Sequence, residues 1–275
     1  MIEIVQIPGA RCTIHHDGPA WDGVPTATIG AFAFDDAEAG AAVLKQAVER
    51  LRATGAQAVL APMDGDTWHA YRAVVESDGS SAFPMEPRSG PHDVAALEAA
   101  GFGVVSNYVS SRAPVVEGAP DGHVVPGVVI RPWDGTGAEP LLERLFALAG
   151  SAFADKTFFK PIDREAFMAL YRPMLSMVNP RMVLFAFDAE GSMVGFLFGF
   201  TDAANGSAVL KTYAATVSGV GRMLAERFHA DAADLGHDDV VHALMHVDNV
   251  SARRSGQHDG RVFRRYALFG RRLAS

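Results

Sequence analysis

A strand, a helix and a second strand follow one another in the same order in both halves of the chain, and this repeat restricts the fold more than any other feature. In the first half the three segments are residues 28–34, 38–51 and 58–62. Apolar residues on one face predict the helix, and short apolar runs predict the strands. Gly55 follows the helix, where a left-handed residue ends it.

The second half contains the corresponding segments at residues 209–215, 222–235 and 240–246, with Gly236 after the helix. The remaining predicted segments are strands at 128–132, 182–187, 193–200 and 262–269 and helices at 139–150 and 164–178. The repeat predicts an α/β (α+β) fold of two related units, each a mixed sheet with helices on its faces.

The length of the chain also favours two domains. It has 275 residues, about twice the roughly 100–150 most common for one domain. Residues 114–127 are rich in proline and glycine and lack periodicity, which is typical of an exposed connection. We place the boundary near Asp121, between a domain of residues 1–120 and a domain of residues 121–275.

The composition excludes several classes of protein. Hydrophobic residues make up 49% and charged residues 20% of the chain, which excludes intrinsic disorder. The formal charge of -8 would repel phosphate backbones and anionic lipid surfaces, so we expect no nucleic-acid or membrane partner. Because the chain has one cysteine, Cys12, and no apolar run of transmembrane length, we expect a cytoplasmic protein without disulfides.

A glycine-containing loop, residues 218–221, precedes the helix of the second half. Glycines let the backbone approach a ligand closely, and the first N–H groups of a helix suit an anion such as a pyrophosphate. Arg222 adds a positive charge at the same place. The alternative interpretation of this loop is an ordinary strand-to-helix turn. The corresponding loop of the first half carries Asp35, Asp36 and Glu38, which would cap its helix instead. We therefore expect one phosphate site per chain.

A larger set of segments covers nearly the whole chain from Ile29 onward. It comprises residues 210–215 (LKTYAA), 219–221 (GVG), 242–249 (HALMHVDN), Ser251, 264–269 (RRYALF), 61–68 (APMDGDTW), Tyr71, Arg72, 83–87 (FPMEP) and 101–102 (GF). Together these segments resemble bacterial tandem proteins of the GNAT superfamily of acetyl-CoA-dependent N-acetyltransferases, with a degenerate first half. The resemblance implies two GNAT-like units, each a mixed, mostly antiparallel sheet flanked by helices.

The resemblance also implies how the second half would bind acetyl-CoA. Backbone groups that would pair with the pantetheine arm belong to Tyr213, Ala214 and Ala215. The N–H groups that would hold the pyrophosphate belong to Gly219, Val220, Gly221 and Arg222. Asn249 and Ser251 would lie along the other wall of the thiol channel.

The sequence departs from the superfamily pattern at two places. Thr216 stands where the loop usually begins with Gln or Arg, and the approach to Gly219 is short, which predicts weaker phosphate binding. The tyrosine that commonly follows the asparagine and protonates the leaving thiolate is missing after Asn249. Ser255 and Tyr266 are the candidates for this acid, and a packed core residue is the alternative for Tyr266.

The proton acceptor and the acceptor pocket are predicted from chemistry and position. His246 and Asp248 end a strand that faces the channel, Lys211 is a third possibility, and a sheet hydrogen bond is the alternative for His246. Carboxylates and aromatic rings suited to a cationic amine come from Asp64, Asp66, Trp68, Tyr71, Glu86, Phe158, Phe159 and Tyr171. Core packing is the alternative for the rings, and turn formation for the aspartates.

Two other site types are excluded. His242 and His246 have the spacing of a zinc-protease helix but lie on a predicted strand, roughly 13 Å apart, so we expect no metal. The chain has no G-x-S-x-G element, and so lacks the nucleophile turn of an α/β hydrolase.

We therefore expect an N-acetyltransferase that moves an acetyl group from acetyl-CoA to a primary amine on a small molecule, as a monomer or homodimer. One rival is an aminoacyl-tRNA-dependent transferase of the Fem type, against which the acidic balance argues. The other is a non-catalytic acyl-CoA-binding or sensing module, which the short loop and the missing tyrosine would explain.

Overall fold

The computed structural model describes residues 1–115, 123–175, 178–249, 251–252, 255 and 259–273. The predicted domain boundary near Asp121 lies outside these residues, so the division into residues 1–120 and 121–275 stays a prediction. Among the helices of the described part, none combines the length and the apolar character needed to cross a membrane.

The secondary structure of the described part follows the predicted order. The strands are β1 (Ile2–Ile7), β2 (Ala10–His15), β3 (Ala27–Phe34), β4 (Ala58–Ala61), β5 (Ala73–Ser77), β6 (Gly103–Pro114), β7 (Val129–Pro132), β8 (Val183–Phe187), β9 (Met193–Asp202), β10 (Ser207–Ala215), β11 (Asp239–His246) and β12 (Arg261–Arg272). The helices are α1 (Ala37–Ala53), α2 (Asp93–Ala99), α3 (Ala138–Phe153), α4 (Arg164–Tyr171) and α5 (Val220–Asp234).

Each strand and helix predicted from periodicity is present, but one predicted helix is too long. The segment predicted at 164–178 is α-helical only to Tyr171 and continues as a 3-10 turn over Arg172–Met174. Pro173 lies in that turn and has no N–H for the α-helical hydrogen bond. Sequence analysis missed β1, β2, β5, β6 and α2. All of these except β6 are only 5 to 7 residues long, which is too short to show a clear period.

The strands form one continuous, mostly antiparallel sheet. In the described residues its order is β1-β2-β3-β4-β12-β6-β11-β10-β9-β8-β7, and β5 also pairs with β12. Two pairs are parallel, β3 with β4 and β10 with β11. These are the strands on either side of the repeated helices α1 and α5, so the predicted repeat is a repeat of parallel strand–helix–strand units.

The two halves exchange their last strands. β12, from the end of the chain, lies between β4 and β6 of the first half. β6, from the end of the first half, lies against β11 of the second. Tyr266 of β12 and Tyr108 of β6 are directly opposite each other in this central pair.

Helices cover the sheet around separate apolar clusters. The buried face of α1 carries Val43, Leu44, Ala47, Val48 and Leu51, which pack against the first half of the sheet. On the second half, Leu224 and Phe228 of α5 pack over β9 and β10. Gly199 of β9 lies under Phe228, where a Cβ atom would come within 2.3 Å of the ring. The sheet therefore needs glycine there for α5 to approach.

Candidate active site

β10 and β11 diverge halfway along their length. They pair in parallel only from Ala208 to Leu210 and from Val240 to His242. Both strands are irregular at that point, because β10 shifts register against β9 between Leu210 and Thr212, and β11 shifts against β6 between His242 and Met245. We call the opening between residues 211–215 of β10 and residues 243–246 of β11 the β10–β11 gap.

The β10 side of the gap offers backbone groups to a ligand. On its other edge, β10 continues its antiparallel pairing with β9 from Thr212 to Ala215. Toward β11, the described residues provide no strand pairing beyond Leu210. Since buried backbone groups require partners, an extended ligand in the gap would complete the ladder as an added strand does.

The gap opens into a cleft of about 1440 Å³ that both halves line. Pockets for one small ligand are typically about 300–1,000 Å³, so this volume suits two molecules or one long one. Of the residues predicted to bind acetyl-CoA, the following line the cleft: Tyr213, Ala214, Ala215, Gly219, Gly221, Asn249 and Ser251. Val220 instead lies buried in the core beneath α5.

The glycine loop begins α5 without a side-chain cap. Gly219 has φ of +87°, and a Cβ atom there would come within 2.6 Å of His123 Nε2. The N–H groups of Val220 and Arg222 already donate within the turn, to Val217 O (3.3 Å) and Gly219 O (3.0 Å). In the described part, the N–H groups of Gly219 and Gly221 have no backbone partner.

Two of the donors at this loop already have a partner within the protein, the carboxylate of Glu226. Arg222 Nε donates to Glu226 Oε1 at 2.6 Å, and His123 N donates to Glu226 Oε2 at 2.8 Å. In the first half, Asp36 Oδ1 accepts from Ala39 N at 2.8 Å and so forms the predicted cap of α1. The two repeated helices therefore differ at their N-termini as the sequence indicated.

The predicted proton acceptors His246 and Asp248 both line the cleft. The His246 ring packs edge-on against Tyr108 with centroids 5.3 Å apart. Its Nδ1 lies 3.2 Å from Asp248 N and 3.8 Å from Asp248 Oδ2. Lys211 also lines the cleft at the apex of the gap, where burial, and secondarily the charge of Arg72, lowers its pKa to about 7.

Ser255 is part of a buried polar chain that sequence analysis missed. Its Oγ lies 2.7 Å from His242 Nδ1 and also contacts the Ser111 hydroxyl. On the other side of the same ring, His242 Nε2 lies 2.8 Å from His229 Nε2 of α5. Ser255 and His242 line the cleft, so the chain connects the cleft to the core.

Tyr266, the other predicted acid, lies away from the cleft lining. Its side chain is fully buried, and its hydroxyl donates to Glu86 and lies 3.0 Å from Ser110 Oγ. Burial and the Glu86 carboxylate raise its pKa. Glu86 is also held by Arg264 Nη1 at 2.5 Å, so this predicted amine ligand already has two partners.

The other residues predicted for the acceptor pocket divide into two groups. Asp64, Trp68, Tyr71, Phe159 and Tyr171 line the cleft. Asp66 is buried and its Oδ1 accepts from the N–H groups of Trp68 and His69, which matches the turn alternative. Phe158 is buried in the cluster beneath β4 and β12, which matches the packing alternative.

Trp68 joins the first half to the helical side of the second. Its Nε1 donates to Lys160 O at 2.9 Å, and its ring contacts Phe159, Phe167 and Tyr171. Burial raises the pKa of Tyr171 to about 12, so its hydroxyl stays neutral at physiological pH. The cleft wall is therefore built jointly by both halves.

Searches against protein-family models and against curated proteins find no match to this chain. Solved structures do match. A GCN5-related N-acetyltransferase from Sphaerobacter thermophilus superposes with a TM-score of 0.62 at 12% identity, over 97% of this chain and 78% of that one. A tandem GNAT protein from the clavulanic acid biosynthesis pathway superposes with a TM-score of 0.55 at 15% identity, over 97% and 79%.

A third match, a GCN5-related N-acetyltransferase from Anabaena variabilis, has a TM-score of 0.55 at 9% identity, over 98% of this chain and 64% of that one. All three likenesses extend across both halves. The architecture expected from the resemblance, a mostly antiparallel sheet flanked by helices in each unit, is therefore confirmed. The chain has the tandem GNAT fold.

Proposed function

We propose that the protein is an enzyme that transfers the acetyl group of acetyl-CoA to a primary amine on a small molecule. The observation that carries this proposal is the β10–β11 gap, where β10 keeps its pairing with β9 but loses β11 after Leu210. The amide-rich pantetheine arm is an extended chain whose polar groups would pair with Tyr213, Ala214 and Ala215 as a neighbouring strand would. The N–H groups of Gly219 and Gly221, which have no backbone partner among the described residues, would then donate to the pyrophosphate at the start of α5.

In this proposal His246 accepts the proton that the amine loses. His246 lies at the end of β11 on the cleft wall, and an imidazole ring is the most common general base in enzymes. The neutral amine attacks the thioester carbonyl carbon, and the carbonyl oxygen takes up the negative charge. Collapse of this intermediate breaks the C–S bond and leaves a thiolate that needs one proton.

Ser255 is the proposed donor of that proton. Its hydroxyl lines the cleft and lies 2.7 Å from His242 Nδ1. In this proposal His242 starts protonated on both ring nitrogens, so its Nδ1–H returns a proton to Ser255 and the ring becomes neutral. His229 Nε2, 2.8 Å from His242 Nε2, accepts the hydrogen bond of that Nε2–H and holds the ring in place. His229 is therefore a positioning residue, and Ser255 takes the place of the tyrosine that the sequence lacks.

Thiol release in the presence of acetyl-CoA and a panel of small primary amines tests the transfer step. We expect release that depends on the amine, together with one equivalent of amide product by mass spectrometry. Ser255→Ala should lower kcat without changing the dissociation constant of acetyl-CoA, whereas Ser81→Ala, at an exposed serine outside the cleft lining, should change neither. Saturable acetyl-CoA binding with no thiol release across the panel would reject an enzyme.

A non-catalytic acyl-CoA-binding module is the second candidate. The observation that favours it is the pairing of Arg222 with Glu226 and the position of His123 against Gly219, which leave fewer groups for a pyrophosphate. Binding without turnover in the same assay is the result that this candidate predicts.

A further inference from the structure

Arg72 is a buried cation in the cleft wall. It is 5% exposed, and its guanidinium carbon lies 3.8 Å and 3.9 Å from the ring centroids of Tyr71 and Tyr108. Burial lowers its pKa to about 10, so it remains charged at physiological pH. No carboxylate of the described residues lies within ion-pair distance of it. A buried charge without a counter-ion is costly, and this one therefore calls for a ligand anion.

One edge of the Arg72 guanidinium has no hydrogen-bond partner among the described residues. Nη1 donates to Leu244 O at 3.0 Å, at the irregular point of β11. Nε is buried and has no hydrogen-bond partner. Across the part of the chain that the structure describes, Nη2 has no partner either. Nε and Nη2 form the side edge of the fork, the pair of donors that binds a carboxylate through two parallel hydrogen bonds.

Lys211 is a second cation at the same place. It follows Leu210, the last β10 residue that pairs with β11, and it lines the cleft with Arg72. Both side chains line the same cleft, and the positive charge of Arg72 contributes to the lowered pKa of Lys211. Within the described ranges, Lys211 also lacks an ion pair with a carboxylate.

The nearest acidic group does not neutralise these two cations. Glu86 raises the pKa of Lys211, but its own carboxylate is bound by Arg264 at 2.5 Å and by the Tyr266 hydroxyl. The Glu86 carboxylate is therefore already occupied by Arg264 and Tyr266, and it does not neutralise Arg72. The apex of the gap carries an excess of positive charge, opposite to the acidic pocket that the sequence predicted.

The phosphates of acetyl-CoA are too far away to be the missing anion. They are proposed to lie at the start of α5, beyond Ala215. Four residues of strand separate Lys211 from Ala215, a distance of roughly 13 Å at about 3.3 Å per residue. Arg72 and its two tyrosines come from the first half, on the acceptor side of the cleft.

From this geometry we propose that the amine acceptor carries a carboxylate, as an amino acid does, and that Arg72 and Lys211 bind it. The inference rests on the proposed acetyl transfer, because it assigns the substrate class of that reaction. Arg72 supplies the positive charge and the donors of its unpaired edge, and Lys211 supplies a second donor, whose protonated form a bound carboxylate favours. The acceptor amine then extends toward His246, which packs on the same Tyr108 ring.

Matched acceptors test the inference. Glycine, β-alanine and 4-aminobutyrate are compared with their primary amides, which have the same size but no charge, and 2-aminoethylphosphonate serves as a phosphorus anion. We expect kcat/KM at least tenfold higher for the best acid than for its amide. Equal values for acids and amides would overturn the inference, and a preference for the phosphonate would assign the site to a phosphoryl group rather than a carboxylate.

Variants separate acceptor binding from chemistry. Arg72→Gln should raise the KM of the acid at least tenfold and abolish the preference over the amide, while Arg72→Lys retains part of it. Arg88→Gln, at an exposed arginine on the cleft wall, is the matched control and should retain the preference. A fall in kcat that is equal for acid and amide would mean that Arg72 stabilises the reaction's oxyanion and does not select the acceptor.

A binding measurement keeps the inference testable without turnover. Calorimetric titration of the amino acids into protein saturated with CoA should show binding that Arg72→Gln removes, with CoA affinity unchanged in the variant. If CoA binds and none of the amino acids does, the inference is wrong while the acyl-CoA site stands. If CoA itself does not bind, the proposed function fails, and the amino acids are then titrated alone to decide the Arg72 site.

Discussion

At the scale of single residues, the cleft places groups with different tasks on different strands. His246 ends β11 beside Tyr108, Lys211 lies at the bulge of β10, and Ser255 reaches the cleft from the segment before β12. Because these side chains lie on different segments of the chain, a substitution at one of them can change a single kinetic step. Replacement of His246 is the sharpest case.

His246→Asn should lower kcat by about 10²-fold or more, since general base catalysis contributes about 10²–10⁴-fold. Acetyl-CoA affinity should not change, because the proposed contacts to acetyl-CoA lie on β10, the start of α5, Asn249 and Ser251. Steady-state kinetics with calorimetry on the same variant checks this. Unchanged kcat would remove His246 from the mechanism, and Lys211→Met would then be the variant to test for loss of kcat.

The buried ammonium of Lys211 makes stability depend on pH. Burial lowers its pKa to about 7 in the folded chain, whereas an unfolded lysine titrates near about 10.4. The unfolded chain therefore binds more protons between these values, and stability rises with pH across the window. Lys211→Met lacks this group. Urea unfolding at about pH 7 and about pH 9.5 should show the parent gaining free energy of unfolding relative to the variant, and a constant difference would contradict the burial of the ammonium.

At the scale of elements, close packing of α5 on β9 fixes the start of α5 over the gap. Gly199→Ala places a Cβ atom 2.3 Å from Phe228 Cε2 and 2.7 Å from Val209 O. We expect a loss of about 1–3 kcal/mol in the free energy of unfolding from this overpacking. Gly150→Ala, in α3 with open space around it, is the matched control and should be neutral or stabilising by up to about 1 kcal/mol. Urea unfolding checks both, and equal stability of the two variants would contradict the packing.

The repeated elements could be predicted from sequence because their signals are local. Residues 209–215, the glycine loop and residues 240–246 carry short-range patterns that predict a strand, a turn and a strand. The chain of Ser255, His242 and His229 could not be predicted. Its members are Ser255, His242 of β11 and His229 of α5, and only the parallel pairing of β10 with β11 around α5 brings them together. The charge at Arg72 was missed for the same reason, since Leu244 and Lys211 meet it only in the folded sheet.

At the scale of the whole molecule, the exchanged strands join the two halves. β12 completes the first half through β4, β5 and β6, and β6 completes the second half through β11. Neither half has its full sheet without a strand from the other. Local sequence patterns do not predict this exchange. The apolar alternation of β6 and β12 would be the same whether each strand paired within its own half or with the other half.

Strand exchange predicts that the protein unfolds in one cooperative step, even though it contains a repeat. Denaturant unfolding followed by far-UV and near-UV circular dichroism should give coincident transitions. Two separated transitions, each with about half of the total amplitude, would show that the halves are independent.

The central claim is that the β10–β11 gap and the loop at α5 bind one acetyl-CoA per chain. Calorimetric titration of acetyl-CoA measures this directly, with Gly221→Glu to place a carboxylate at the proposed pyrophosphate and Gly150→Glu, at an exposed residue of α3 that does not line the cleft, as the control. The account predicts one site per chain, affinity reduced at least tenfold in Gly221→Glu, and unchanged affinity in Gly150→Glu. No saturable binding by the parent, two sites per chain, or equal affinity in the two variants would contradict it.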